Sequence, residues 1–95
     1  MTSKQRAYLR GLANKIEPIF QIGKGGLTDV LIEQLSDALE ARELIKINVL
    51  KTAPDYAKDL ANEIAEATNS DVVQVIGNKI TLFRQRKEKS RFEID

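Results

Sequence analysis

The sequence predicts an α/β fold: a two-layer sandwich with elements in the order α-β-α-β-α-β-β and a mixed four-stranded sheet. Three observations predict it. Apolar residues recur at helical spacing in three stretches, short β-branched runs alternate with them, and Gly77-Asn78 divides the last two runs like a hairpin turn. Strands joined through helices pair by right-handed crossovers that leave the helices on one face, and the hairpin adds an antiparallel pair. The 95 residues are expected to form one domain, 1–84, followed by a basic, mobile tail, 85–95. A chain of this length buries roughly 60–65% of the surface it exposes when unfolded, enough for a modest core.

Thr2 and Gln5 have the spacing of a capping box, and Leu9, Leu12, Ala13 and Ile16 follow at helical spacing, so a first helix is expected over residues 3–15. In projection Lys4, Tyr8 and Lys15 flank its apolar stripe on one side, Arg6 and Arg10 on the other. Pro18 disfavours helix at Glu17, and residues 18–22 read as a short strand. Three glycines then surround one lysine in Gly23-Lys24-Gly25-Gly26. Such a turn, with amides uncovered and a cation beside them, suits a phosphate chain.

Thr28 is a suitable N-cap for a second helix to about Arg42, with Val30, Leu31, Leu35, Ala38 and Leu39 inward and Asp29, Glu33, Asp37 and Glu40 outward. Residues 44–50 alternate as a strand, Ile45, Ile47 and Val49 on one face and Lys46 and Asn48 on the other. Thr52 and Asp55 suggest another capping box, with Pro54 in the first turn and Tyr56, Leu60, Ile64 and Ala65 as the inward stripe of a third helix. In the hairpin of residues 72–76 and 79–83, Val75 is expected opposite Ile80 and Val73 opposite Leu82, all four facing the helices, with Val72, Ile76 and Phe83 on the other side. Phe83 has two readings: core beneath the first helix or the tail, which is preferred, or a stacking surface for an unpaired base beside Arg84.

Composition excludes most chemistry. The chain has no cysteine and no histidine, so thiolate and imidazole metal ligands, disulfides and the commonest nucleophiles and proton shuttles are missing. Leu27 follows Gly26, so the Lys-Ser/Thr ending of a nucleotide-binding phosphate loop is missing. No enzyme activity, cofactor, metal or small-molecule substrate is expected, and with no long apolar run or hydrophobic leader the expected compartment is the cytoplasm. The net charge of +1 hides segregation: residues 1–26 hold five Lys/Arg against Glu17, residues 27–45 five acids against Arg42, and residues 59–78 four acids and no base. Residues 79–95 are basic again, six against three. Basic segments meeting in space would offer a face to a polyanion, and the acidic helix faces a docking surface for a basic protein.

In order along the chain stand Lys4-Gln5-Arg6, Leu9-Arg10, Pro18, Ile22-Gly23-Lys24-Gly25-Gly26-Leu27-Thr28, Ala38-Leu39-Glu40, Glu43-Leu44-Ile45-Lys46-Ile47 and Val75-Ile76-Gly77. This set resembles the YhbY group of the CRM (chloroplast RNA splicing and ribosome maturation) domain family, over residues 4 to about 84. A lone Gly-x-x-Gly loop, found also in KH domains, would be far less specific. The resemblance implies a fold similar to the C-terminal domain of the third bacterial translation initiation factor. It also implies a stand-alone RNA-binding protein whose partner is ribosomal RNA or a precursor particle of the large ribosomal subunit; the chain itself is expected to be a monomer. Carried over to this chain, the loop falls on Gly23, Lys24, Gly25 and Gly26, and the basic surface on Lys4, Arg6, Arg10, Lys46 and Arg84. Lys15, on the flank of the first helix, joins them as a candidate contact, with Arg86 and Lys87, and further along Lys89 and Arg91, as auxiliary ones. Many relatives place a histidine near the end of the first helix, where this chain has Asn14.

Overall fold

The computed structural model describes residues 1–92; the last three residues of the expected tail lie outside the described residues. Elements follow the expected order: α1 (Ser3–Ala13), β1 (Phe20–Ile22), α2 (Asp29–Arg42), β2 (Leu44–Val49), α3 (Ala57–Thr68), β3 (Asp71–Ile76) and β4 (Lys79–Phe83). The sheet runs β1-β2-β4-β3, with β1 parallel to β2 and the other two pairs antiparallel.

The first two helices start as their side chains dictate. Thr2 accepts from the Gln5 amide at 3.1 Å while the Gln5 side chain accepts from the Thr2 amide at 2.9 Å, and Thr28 accepts from the Leu31 amide at 3.1 Å. The third does not. Residues 50–53 instead close a turn through the Ala53 amide and the Leu50 carbonyl at 3.0 Å, and Tyr56 precedes α3 with no side-chain cap. Segment 50–54 is packed against the glycine turn, so Pro54 lies outside the helix. Tyr56, expected inward, is 83% exposed; Leu60, Ala61 and Ile64 carry the buried stripe.

Ile45, Ile47 and Val49 of β2, with Ile22, Ile80 and Leu82, pack against Leu35 and Leu39 of α2 and Leu60 and Ile64 of α3. That sheet and helix pair form the sandwich. The opposite face is partly covered by α1, whose Leu9 and Ala13 meet Leu44, Val73 and Phe83, with Phe92 at the margin. The hairpin register corrects one expectation. Val75 lies opposite Ile80, but Val72, not Val73, lies opposite Leu82, because the ladder shifts between Val72 and Gln74. A bulge inserts one residue and breaks strict alternation, so Val72 turns to the α2–α3 core and Val73 to α1. Phe83 is 3% exposed and meets Phe92 edge to face at 5.3 Å, which makes it core rather than a platform for a base.

Residues 85–92, expected as a mobile appendage, lie packed against the body through Glu43. This residue ends α2 at φ 66°, ψ −46°, a conformation costly for a residue with a Cβ, and is fully buried. Its carboxylate accepts from the Arg91 amide at 2.6 Å, the Ser90 hydroxyl at 2.5 Å and the Arg86 amide at 3.1 Å, and the Arg86 guanidinium lies 3.5 Å away. Burial pushes the carboxyl pKa up, but the Arg91 amide, the Ser90 hydroxyl, the Arg86 amide and the Arg86 charge together hold it below 4.5. The charged form therefore stabilises the fold above pH 4.5, and that contribution is lost as pH falls through the lowered folded-state value. Glu43→Ala is expected to cost about 3 kcal/mol in urea unfolding at neutral pH. Glu43→Gly should cost about 1 kcal/mol less, since glycine accepts the backbone angle.

Candidate nucleic-acid interface

The parallel register sets the geometry of one end of the molecule. Ile22 lies opposite Val49, and the Leu50 amide donates to the Ile22 carbonyl at 2.8 Å, so the segments after β1 and β2 leave the sheet side by side. Residues Gly23–Gly26 form a turn closed by the Gly26 amide on the Gly23 carbonyl at 2.9 Å, with Lys24 and Gly25 exposed at its tip. The glycines have different duties. A Cβ on Gly23 would stand 3.3 Å from Leu50 Cδ1, and one on Gly26, at φ 66°, 3.0 Å from Pro54 Cγ. A Cβ on Gly25 would meet nothing within 4 Å. Two glycines therefore let two loops touch, while the third leaves the tip uncovered.

Both α2 and α3 start at this end, and the β3–β4 turn, whose Asn78 carbonyl accepts from the Val49 amide at 2.7 Å, reaches it as well. Helix N-termini carry partial positive charge, although Asp29 and Asp59 in the two first turns offset part of it. At the same end of the sheet stand the exposed Lys51, which follows Leu50, and, where β4 begins opposite Asn48, Lys79. Val30 (66% exposed), Ile76 (63%) and Tyr56 add exposed apolar surface at the same end. Nothing in the local sequence marks Lys51, Lys79 or Tyr56 for this site, because only the β1–β2 and β2–β4 registers bring their segments to the glycine turn.

The other expected cations do not form one patch with Lys24. Lys46 lies on the α1-facing side of β2, and it lines a cleft with Lys15 just past the end of α1. Lys4 and Arg10 are exposed on α1, and Arg6 there is half-buried. Arg84 serves the scaffold: its guanidinium donates to the Ser36 carbonyl at 2.7 Å, the Thr68 carbonyl at 2.8 Å and the Ser36 hydroxyl at 3.1 Å, with Glu40 at 3.6 Å. It ties α2 to α3 on the face away from α1. Arg86 is likewise engaged, by Glu43 and by the Lys89 carbonyl at 3.0 Å, whereas Lys87 is exposed. Glu33, Asp37 and Glu40 of α2 and Asp59, Glu63 and Glu66 of α3 are all exposed on the helix layer. Among the described residues no cluster of His, Cys, Asp or Glu is placed to hold a metal, and no helix is long and apolar enough to cross a membrane.

Residues 1–84 match the family model of the CRS1/YhbY (CRM) domain. The chain belongs to that family. The chain is 44% identical over 94 residues to YqeI of Bacillus subtilis, named a probable RNA-binding protein, a match covering 99% of this chain and 98% of that one. It is 32% identical to a Haemophilus influenzae protein named RNA-binding protein, over 93% of this chain and 89% of the relative. The solution structure of SAV1595 from Staphylococcus aureus, described as a candidate RNA-binding protein, superposes with a TM-score of 0.84 at 50% identity, covering 100% of this chain and 99% of that one.

The division of labour among the glycines is measurable. Gly26→Ala is expected to lower stability by about 1–2 kcal/mol through its positive φ and the Pro54 contact. Gly25→Ala should stay within about 0.5 kcal/mol of the natural protein in the same urea titration.

Proposed function

We propose that this CRM domain binds single-stranded or looped RNA passively, clamping the backbone with the turn Gly23–Gly26 and Lys24. The observation that carries this reading is the open tip: Lys24 and Gly25 face solvent, and no described residue lies within 4 Å of where a Gly25 Cβ would stand. A phosphate can therefore approach the tip amides as closely as van der Waals contact allows, with an ammonium beside it. Gly-x-x-Gly loops in KH domains clamp backbone in this manner. Lys51 and Lys79 extend the positive field from the turn, and Tyr56 offers an exposed ring at the same end. Lys15, Lys46 and the α1 cations Lys4, Arg6 and Arg10 make up the remainder of the proposed surface; Arg84 and Arg86 are left out because their guanidinium groups hold the scaffold.

The names of the relatives in Bacillus and Haemophilus support RNA as the polyanion. Resemblance to the YhbY group supports precursor ribosomal RNA of the large subunit as the target and the cytoplasm as the compartment. Recognition without chemistry fits a chain lacking Cys and His. The acidic outer face of α2 and α3 would repel RNA and so orient it.

Changing Lys24 and Gly25 together to Asp should leave the thermal melt nearly unchanged and weaken binding of a large-subunit precursor RNA fragment by at least about tenfold. The slope of log affinity against log salt should flatten by about 0.7–0.9 for the lysine lost. Unchanged RNA affinity with an intact fold would remove the turn from the interface. Crosslinking in cells should recover large-subunit precursor RNA above other transcripts.

A further inference from the structure

A cleft of about 540 Å³ lies between the end of α1, the start of β2 and the C-terminal segment. Its apolar walls come from Leu12 and Ile16, just inside and beyond α1, and from Phe92. Four cations surround them, Lys15, Arg42, Lys46 and Arg91, against the single acid Glu17. We propose that this cleft is a second RNA subsite, which seats one unstacked base against Phe92 while the flanking phosphates meet the four cations. The proposal rests on the RNA reading above and extends it to a part of the molecule that the glycine turn does not occupy.

The combination of walls and rim selects the ligand. An inorganic anion would leave the apolar walls unused, and an apolar peptide would desolvate four cations without partners. A nucleotide satisfies both, because its base has flat apolar faces and its phosphates are negative. The site is also preorganised. Phe92 is fixed edge-on to Phe83 at 5.3 Å and 85°, and the Arg91 backbone beside it is held by the Glu43 carboxylate at 2.6 Å. Ordering these groups in advance lowers the entropic cost of binding. Reach is adequate as well: Lys46 and Val49 are three residues apart, about 10 Å along a strand, and Val49 lies opposite Ile22, which leads into the glycine turn.

The chain has no tryptophan, so Phe92→Trp in the full-length protein places a single reporter in the cleft. A short single-stranded RNA should quench the emission of that introduced indole about twofold by stacking, whereas a sugar-phosphate chain of equal length without bases should bind but leave the emission nearly unchanged. In the natural chain, Arg42→Ala and Arg91→Ala, both at exposed positions, should each weaken RNA binding several-fold and flatten the salt slope by about 0.7. These two variants carry the test should the Phe92→Trp change disturb folding. Equal quenching by the baseless chain would overturn the base seat. RNA that binds with the reporter's emission unchanged and with both arginine variants at natural affinity would refute the cleft while leaving the glycine turn in place. A natural chain that binds no RNA at all would refute both.

Discussion

The pairing of Ile22 with Val49 is the constraint on which the rest of the molecule depends. It sends the chain out of β1 and β2 side by side, brings Gly23 against Leu50 and Gly26 against Pro54, and starts α2 and α3 from the same end. A slip of one residue would turn Ile45, Ile47 and Val49 to the wrong face and separate the two loops. Core and candidate site are therefore fixed by one ladder. β2 shows this most clearly, since one set of its side chains fills the α2–α3 core and the other carries Leu44 beneath α1 and Lys46 into the cleft.

Charge follows the same layering. The helix pair α2–α3 presents acids outward and holds Arg84 inward against Ser36 and Thr68, so a cation that looks available in the sequence closes the bottom of the scaffold instead. Glu43 does the complementary work. As an anion buried where α2 gives way to β2, it gathers the amides of Arg86 and Arg91 and folds the C-terminal segment back under α1. This places Phe92 against Phe83 and leaves Arg91 on the rim of the cleft. The cations Lys15, Arg42, Lys46 and Arg91 thus gather at this cleft, apart from Lys24 at the glycine turn.

Much of this is legible in the sequence because local chemistry and global structure agree. The Thr2–Gln5 box, the Thr28 cap, the alternation of residues 44–49 and the Gly77-Asn78 turn are each found where their residue types require. Departures occur where tertiary contact outweighs local preference. The Thr52–Asp55 pattern gives way to packing on the glycine turn, which exposes Tyr56, and a bulge exchanges the roles of Val72 and Val73. The tail departs from expectation for a related reason: its charges signal solvation, while the partner that holds it, Glu43, lies more than forty residues earlier and reads as one more surface acid. As for the candidate site, the turn, Lys24 and, as an auxiliary contact in the basic tail, Arg91 are visible in the sequence, but Lys51, Lys79 and Arg42 reach their positions only through tertiary structure. No local pattern signals those.

We propose that nucleic acid meets the end bearing the glycine turn and the α1 side of the sheet, and not the acidic outer face of α2 and α3. The most direct test is an amide-by-amide NMR titration of the natural chain with a large-subunit precursor RNA fragment. Shifts are expected at residues 23–26, 50–52 and 44–48 and around Arg42 and Arg91, with the exposed amides of Glu33, Asp37, Glu63 and Glu66 unmoved. Shifts concentrated around Glu33, Asp37, Glu63 and Glu66, with the glycine turn silent, would contradict this proposal.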